Sequence, residues 1–437
     1  MLSVRISLAL FSILFLLSCV GPVKEIKYQF EDSMDDPISY IDNPQSLKEI
    51  SNNFNLEISW SLNLGDSGKR NFKSPIDDNN IYFVSHIGII SSHNINSQEL
   101  LWSYQHSNKI LSGLSLSATN IFFVDSKGYL CSLSKTGKLE WKAYVGEVLS
   151  PPLVLSSSVI VNLISSKFVS LNIIDGSINW SYNSPSGPLK ILSWEEMIEN
   201  EGKIYSGIAG GKIIAINAEN GSLIWETTFS PPKGSSEIER SNDTTSNLII
   251  DEFFVYGISS NGNIAALNIN NGEIIWSRPL SSFYGMTSND NYLFVTHNSG
   301  SVYSLSKETN KVKWRNSDFL GRDLSKGYLF DGYIIVSDFE GYLHFLNIDN
   351  GFEEARIKIG DTYHTMISKI KDDEMIVVSL DGTLYKIIVQ LKNKLSVNKA
   401  VELEDKNGLI SDNDSNSDIK KKNNQEDSLF DNLIFWD

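Results

Sequence analysis

The sequence predicts an all-β fold, an eight-bladed β-propeller of four-stranded antiparallel blades whose ring is closed by the N-terminal strand. Three observations predict it. A tryptophan follows an apolar or mixed pair seven times, at Trp60, Trp102, Trp141, Trp180, Trp225, Trp276 and Trp314, with spacings of 38 to 51 residues, a period that signals propellers or solenoids. Between these marks run segments of alternating polarity, such as Tyr129-Leu130-Cys131-Ser132-Leu133 and Thr383-Leu384-Tyr385-Lys386-Ile387, and a period of two argues for strands and excludes helical repeats. Glycine follows a polar residue between the runs, at Gly128, Gly262, Gly300, Gly341 and Gly382, where it supplies the positive φ of a hairpin turn.

In chain order, the first element is a leader. Arg5 precedes a run of mostly apolar residues from Ile6 to Leu17, too short for a membrane span, which needs roughly 20 residues, but suited to a secretory signal peptide. It ends in Leu16-Leu17-Ser18-Cys19, which resembles the bacterial lipoprotein lipobox. That resemblance implies cleavage after Ser18 and acylation of Cys19, with Val20 rather than an aspartate favouring the outer membrane of a Gram-negative cell. Several acyl chains on one cysteine give a durable anchor where one chain holds only weakly. Residues 1–18 are therefore expected as signal peptide and 19–55 as a lipidated, flexible, acidic tether.

The propeller is expected over 56–390. Each repeat reads as a meander of about four strands: a β-rich run such as Ile121-Phe122-Phe123-Val124, a glycine turn, an alternating run, and a Trp strand preceded by a second turn, as at Asn220-Gly221 or Asn271-Gly272. An eighth copy has lost its tryptophan and reads Glu353-Glu354-Ala355. The chain opens on a Trp strand at Ile58 and ends its repeats on the hairpin from Met375 to Val389. The first strand can thus complete the last sheet and leave no open edge in the ring. The tryptophans are expected as packing residues between sheets. Residues 391–437, rich in Lys, Asn, Asp and Ser, are expected to be a disordered acidic tail with an apolar end, Leu433-Ile434-Phe435-Trp436.

Composition narrows function. Apolar residues make up 41% of the chain and the net charge is -16, enough for a core but opposed to nucleic acid or an anionic membrane surface as electrostatic partner. The two cysteines, Cys19 and Cys131, exclude a disulfide framework. The six histidines show no metal-ligand spacing, no phosphate loop or nucleophile elbow is present, and the carboxylates fall mostly in turns. No catalytic residue, cofactor or metal is expected.

The Asn/Asp-Gly turn and the terminal Trp resemble the repeat of pyrroloquinoline-quinone propellers. Those enzymes also carry a vicinal cysteine pair and a calcium site, and Cys19 and Cys131 cannot form the pair. A periplasmic quinoprotein enzyme is the alternative reading. From Trp60 to about Ile388 the chain is more similar to the BamB family, lipoproteins of the outer-membrane β-barrel assembly machine. The resemblance rests on Gly234-Ser235-Ser236-Glu237-Ile238-Glu239-Arg240, Asn261-Gly262-Asn263-Ile264-Ala265-Ala266-Leu267, Ser337-Asp338-Phe339-Glu340-Gly341-Tyr342 and Asp381-Gly382-Thr383-Leu384-Tyr385. It implies a non-catalytic scaffold that binds a POTRA domain of BamA, the central barrel subunit, through two neighbouring loops. Leu189 and Lys190 fit the first loop, although Gly187 stands where the family has another leucine. Asp243 fits the second, which is shorter here than in the family. Nascent outer-membrane proteins, received by strand addition at a sheet edge, are a further expected partner.

Overall fold

The computed structural model describes residues 44–65, 72, 74–148, 150–185, 196–232, 244, 248–362 and 364–391. Its thirty-two strands form eight four-stranded antiparallel sheets arranged as a ring of blades. Strand β1 (Asn55–Asn63) stands apart from the strands that follow it in sequence. Blade 1 is β2 (Ile76–Asp77), β3 (Asn80–Val84), β4 (Ile89–Asn94) and β5 (Leu100–Gln105); blade 2 is β6 (Ser115–Leu116), β7 (Asn120–Val124), β8 (Tyr129–Ser134) and β9 (Leu139–Tyr144). Blade 3 is β10 (Leu153–Val154), β11 (Ser158–Asn162), β12 (Lys167–Asn172) and β13 (Ile178–Asn183); blade 4 is β14 (Ile198–Asn200), β15 (Lys203–Ile208), β16 (Lys212–Asn217) and β17 (Leu223–Thr228). Blade 5 is β18 (Ile249–Ile250), β19 (Phe254–Ile258), β20 (Asn263–Asn268) and β21 (Ile274–Pro279); blade 6 is β22 (Met286–Ser288), β23 (Tyr292–Thr296), β24 (Val302–Ser306) and β25 (Val312–Asn316). Blade 7 is β26 (Tyr328–Phe330), β27 (Tyr333–Ser337), β28 (Tyr342–Asn347) and β29 (Glu353–Lys358). Blade 8 joins β30 (His364–Lys371), β31 (Glu374–Ser379) and β32 (Thr383–Gln390) to β1, so the eight-bladed propeller expected from the tryptophan period is the architecture found.

Burial follows position in the blade. The two middle strands are enclosed on both faces, as in β7, where Ile121, Phe122, Phe123 and Val124 are all buried. A blade has a neighbour on each side, so the second strand is a largely apolar run, while the third buries small polar residues as well, such as Ser92, Ser132, Ser170 and Ser304. The outer strands alternate between half-buried and exposed residues. The first strand of each blade lies nearest the axis, where β18, β22, β26 and β30 follow one another.

In blades 1 to 6 the outer-strand tryptophan joins the blade to the next. The indole N–H groups of Trp102, Trp141, Trp180, Trp225, Trp276 and Trp314 donate to backbone carbonyls of the following blade at 2.7–3.3 Å. The acceptor lies in the turn before the next outer strand, and at five of these six seams a glycine in that turn lets the ring approach; at Trp276 the turn carries Asn310, at φ +56°, instead. At Gly272 φ is +72°, and a Cβ there would sit 2.6 Å from the Trp225 ring. The Asn-Gly signal thus encodes both the left-handed turn and the close contact.

At blade 7 the tryptophan position holds Ala355, fully buried. Residues 44–54, which the sequence reading places in the tether, lie along the edge of β29. Asn53 N donates to Glu354 O at 2.8 Å, Arg356 N donates to Asn52 Oδ1 at 2.9 Å, and Asn52 Nδ2 donates to Arg356 O at 3.0 Å. Phe54 packs on Tyr333 and Phe345, with ring centroids 5.0 and 5.6 Å away. This strap then enters β1, which pairs antiparallel with β32 from Asn55↔Gln390 to Asn63↔Thr383.

Candidate interaction site

Cys19, Leu189, Lys190 and Asp243 lie outside the described residues, as does the run 234–240. The topology shows where the last three belong. Leu189 and Lys190 fall in the connection from β13 to β14, and Asp243 in the next one, from β17 to β18. Both connections run from an outer strand to the inner strand of the following blade, and blade 4 lies between them.

The described flanks of both connections converge on blade 4. Lys212, the first residue of β16, forms an ion pair with Glu226 of β17, Nζ to Oε1, at 2.8 Å. Register explains the meeting: Lys212 stands opposite Thr228 and Ile214 opposite Glu226, so the two side chains are diagonal neighbours on one face. The other carboxylate oxygen of Glu226 accepts the Ser184 hydroxyl at 3.2 Å, where the first connection begins. On the far side, Thr244 Oγ1 donates to the Lys212 carbonyl at 2.9 Å. Thr244 is fully buried and bridges Ser259 of blade 5. Nearby, burial first and the Glu226 charge second raise the Tyr182 hydroxyl above its ordinary value.

A second polar cluster fills blade 7. Asp338 is fully buried; its Oδ2 accepts Arg322 Nε at 2.8 Å and faces His344 Nε2 at 3.2 Å, while its Oδ1 accepts the backbone N–H groups of Glu340 and Tyr342, each at 3.0 Å. Burial alone would raise this carboxyl, but the His344 and backbone hydrogen bonds and the Arg322 guanidinium outweigh it and hold it below the usual range. His344 Nδ1 faces Glu353 at 2.7 Å, Arg356 pairs with the same carboxylate at 3.2 Å, and Arg322 also reaches Glu340 and Gln45 O. This network ties the turn after β27 to the strap.

Sequence spacing missed one grouping. His106, Asp125 and Cys131 bring one potential ligand atom each within 4.8 Å of one another. Their bonding is that of a structural knot. Asp125 Oδ1 accepts the N–H groups of Lys127 and Tyr129, and its Oδ2 accepts Asn108 and faces His106. Burial pushes the Cys131 thiol up to about 12, so in this metal-free arrangement it is a neutral, buried group. Asp125 closes the turn after β7 as Asp338 does in blade 7, which accounts for both residues without a ligand.

A closed ring with packed blade interiors and polar-rooted connections defines an eight-bladed propeller of the quinoprotein-repeat type. The chain belongs to the BamB family: the family model for "Outer membrane protein assembly factor BamB" matches residues 68–316. Among relatives of that name, the Escherichia coli K12 protein is 27% identical over 78% of this chain and 91% of its own length, and the Yersinia pestis protein is 25% identical over 78% and 90%. The crystal structure of BamB from Moraxella catarrhalis superposes with a TM-score of 0.69 at 22% identity, covering 76% of this chain and 99% of that one. A europium-containing methanol dehydrogenase superposes at 0.64 with 12% identity over 78% of this chain and 95% of its own. At such identities the structural likenesses show the shared propeller fold alone.

Proposed function

We propose that this chain is a non-catalytic scaffold lipoprotein of the outer-membrane β-barrel assembly machine. It is held at the periplasmic face of the outer membrane by acyl chains on Cys19 and binds the POTRA region of the central barrel subunit. Leu189 supplies buried aliphatic area at the contact, while Lys190 and Asp243 set orientation and exclude wrong partners. Through this contact the protein helps insertion of outer-membrane proteins. The observation that carries the reading is the family match across 68–316, within which all three contact residues fall. Neighbouring connections rooted on one rigid blade suit such a role, because loops on a rigid scaffold are where binding residues concentrate.

The test is capture of the barrel subunit from native membranes by the full lipoprotein and by Lys190→Glu. The charge reversal is expected to cut capture about tenfold. Unchanged capture removes Lys190 from the interface, and unchanged capture by Leu189→Ala and Asp243→Lys as well removes the contact. The anchor is tested separately with Cys19→Ala, which is expected to abolish labelling by radioactive palmitate.

A further inference from the structure

The ion pair of blade 4 has no counterpart of opposite charges in the ring. Its two positions are the start of the third strand and the residue after the tryptophan. In blade 3 they hold Lys167 and Ser181, and in blade 5 Asn263 and Ser277. All eight blades are described at these positions, and only Lys212 and Glu226 place opposite charges there. This blade is also the one that lies between the two connections carrying Leu189, Lys190 and Asp243.

The pair is placed to act on both sides. Glu226 uses one carboxylate oxygen for Lys212 and the other for Ser184, at the root of the first connection. The backbone of Lys212 takes the Thr244 hydroxyl, at the root of the second. The middle strands of blade 4 are buried and hydrogen-bonded on both sides, so they form a fixed reference for both roots. A half-buried ion pair adds little stability, since desolvation offsets most of the Coulomb gain. Its value lies in fixed geometry: charged side chains with defined partners specify position more than they add energy.

We infer that the Lys212–Glu226 pair is a positioning element of the docking surface, holding the roots of both connections in one register so that the barrel subunit's periplasmic region meets them together. This rests on the docking reading above. Glu226 and Lys212 act through Ser184 and Thr244 rather than through contact with the partner.

The experiment measures affinity and dissociation rate of the full chain for the purified periplasmic region of the barrel subunit, with urea unfolding of each variant alongside. Glu226→Ala and Thr244→Val are each expected to weaken binding about tenfold, mainly through faster dissociation. The exchange Lys212→Glu with Glu226→Lys is expected to restore binding to within about threefold of the parent. A merely structural role would move the unfolding midpoint in step with affinity, in the single variants and in the exchange alike. Wild-type binding by both single variants, with Lys190→Glu still weakened, overturns the positioning role and leaves the docking reading standing. Loss in Glu226→Ala that the exchange fails to recover also overturns it. Wild-type binding by Lys190→Glu, Leu189→Ala and Asp243→Lys overturns the docking reading itself.

Discussion

The indole N–H of Trp225 in blade 4 donates to the carbonyl of Ile269 in blade 5 at 3.1 Å, and the same carbonyl accepts the Tyr205 hydroxyl at 3.3 Å. One oxygen thus gathers two aromatic donors across a blade seam. Trp225→Phe keeps most of the packing and loses one bond, so it should cost about 1 kcal/mol. Trp225→Ala should cost about 3–5 kcal/mol. Urea unfolding monitored by circular dichroism checks both values. Gly272→Ala should also destabilise the ring, through its positive φ and its contact with the indole.

Acid should weaken the fold before the carboxylates titrate. Burial depresses His297 and His364 to about 4, so both are neutral in the folded ring at neutral pH. The unfolded chain binds protons on these rings near pH 6.5. Their contribution is therefore complete above that value and is lost as pH falls towards 4, by up to on the order of 3 kcal/mol for each ring. Unfolding free energy measured at pH 7.5, 6.0 and 5.0 should fall accordingly, and His297→Gln should flatten the slope.

Cys131 should be inert in the native protein. With its thiol near 12 and its side chain fully buried, a thiol reagent at pH 8 should leave it unlabelled in a Cys19→Ala background. Labelling should appear only with the urea transition. Rapid labelling without denaturant would show that blade 2 opens locally.

Arg322 should matter more than the exposed cations. It is 3% exposed and is the guanidinium partner of the fully buried Asp338. Arg322→Met leaves that carboxylate in a low-dielectric site and should cost about 3–5 kcal/mol. Lys313, whose partner Asp349 is largely exposed, should cost less than about 1 kcal/mol when changed to Met. Parallel urea titrations compare the two.

The strap should stabilise blade 7. Phe54 is 4% exposed against Tyr333 and Phe345, so Phe54→Ala should cost about 3 kcal/mol. Asn52→Ala, which removes two hydrogen bonds to Arg356, should cost about 1–2 kcal/mol. Hydrogen exchange of the β29 amides reads the effect locally.

The blades were legible because their determinants are local. Trp141, Trp180, Trp225 and Trp276 each sit four residues after a glycine turn, and the second strands carry apolar runs that need neighbours on both sides. Even the decayed copy at Ala355 was readable as a blade. Its reason was not: the strap bonds to Arg356 from Asn52, 304 residues away, and no sequence pattern links such positions. The blade 4 pair was hidden differently. Lys212 and Glu226 are ordinary turn-proximal charges until the register of β16 on β17 sets them side by side. His106, Asp125 and Cys131 converge only because the turn after β7 folds back beside the end of β5.

Because Asn55 finds its partner at Gln390, the first strand of the described residues waits during synthesis for the last of them. The sheets in between can form as they emerge, but the circle stays open until β32 has been made. A chain truncated before Thr383 lacks the strand against which β1 zips. Because the start of β1 and the end of β32 lie at the same end of this antiparallel pair, drawing those two ends apart opens the seam one rung at a time, from Asn55 inward.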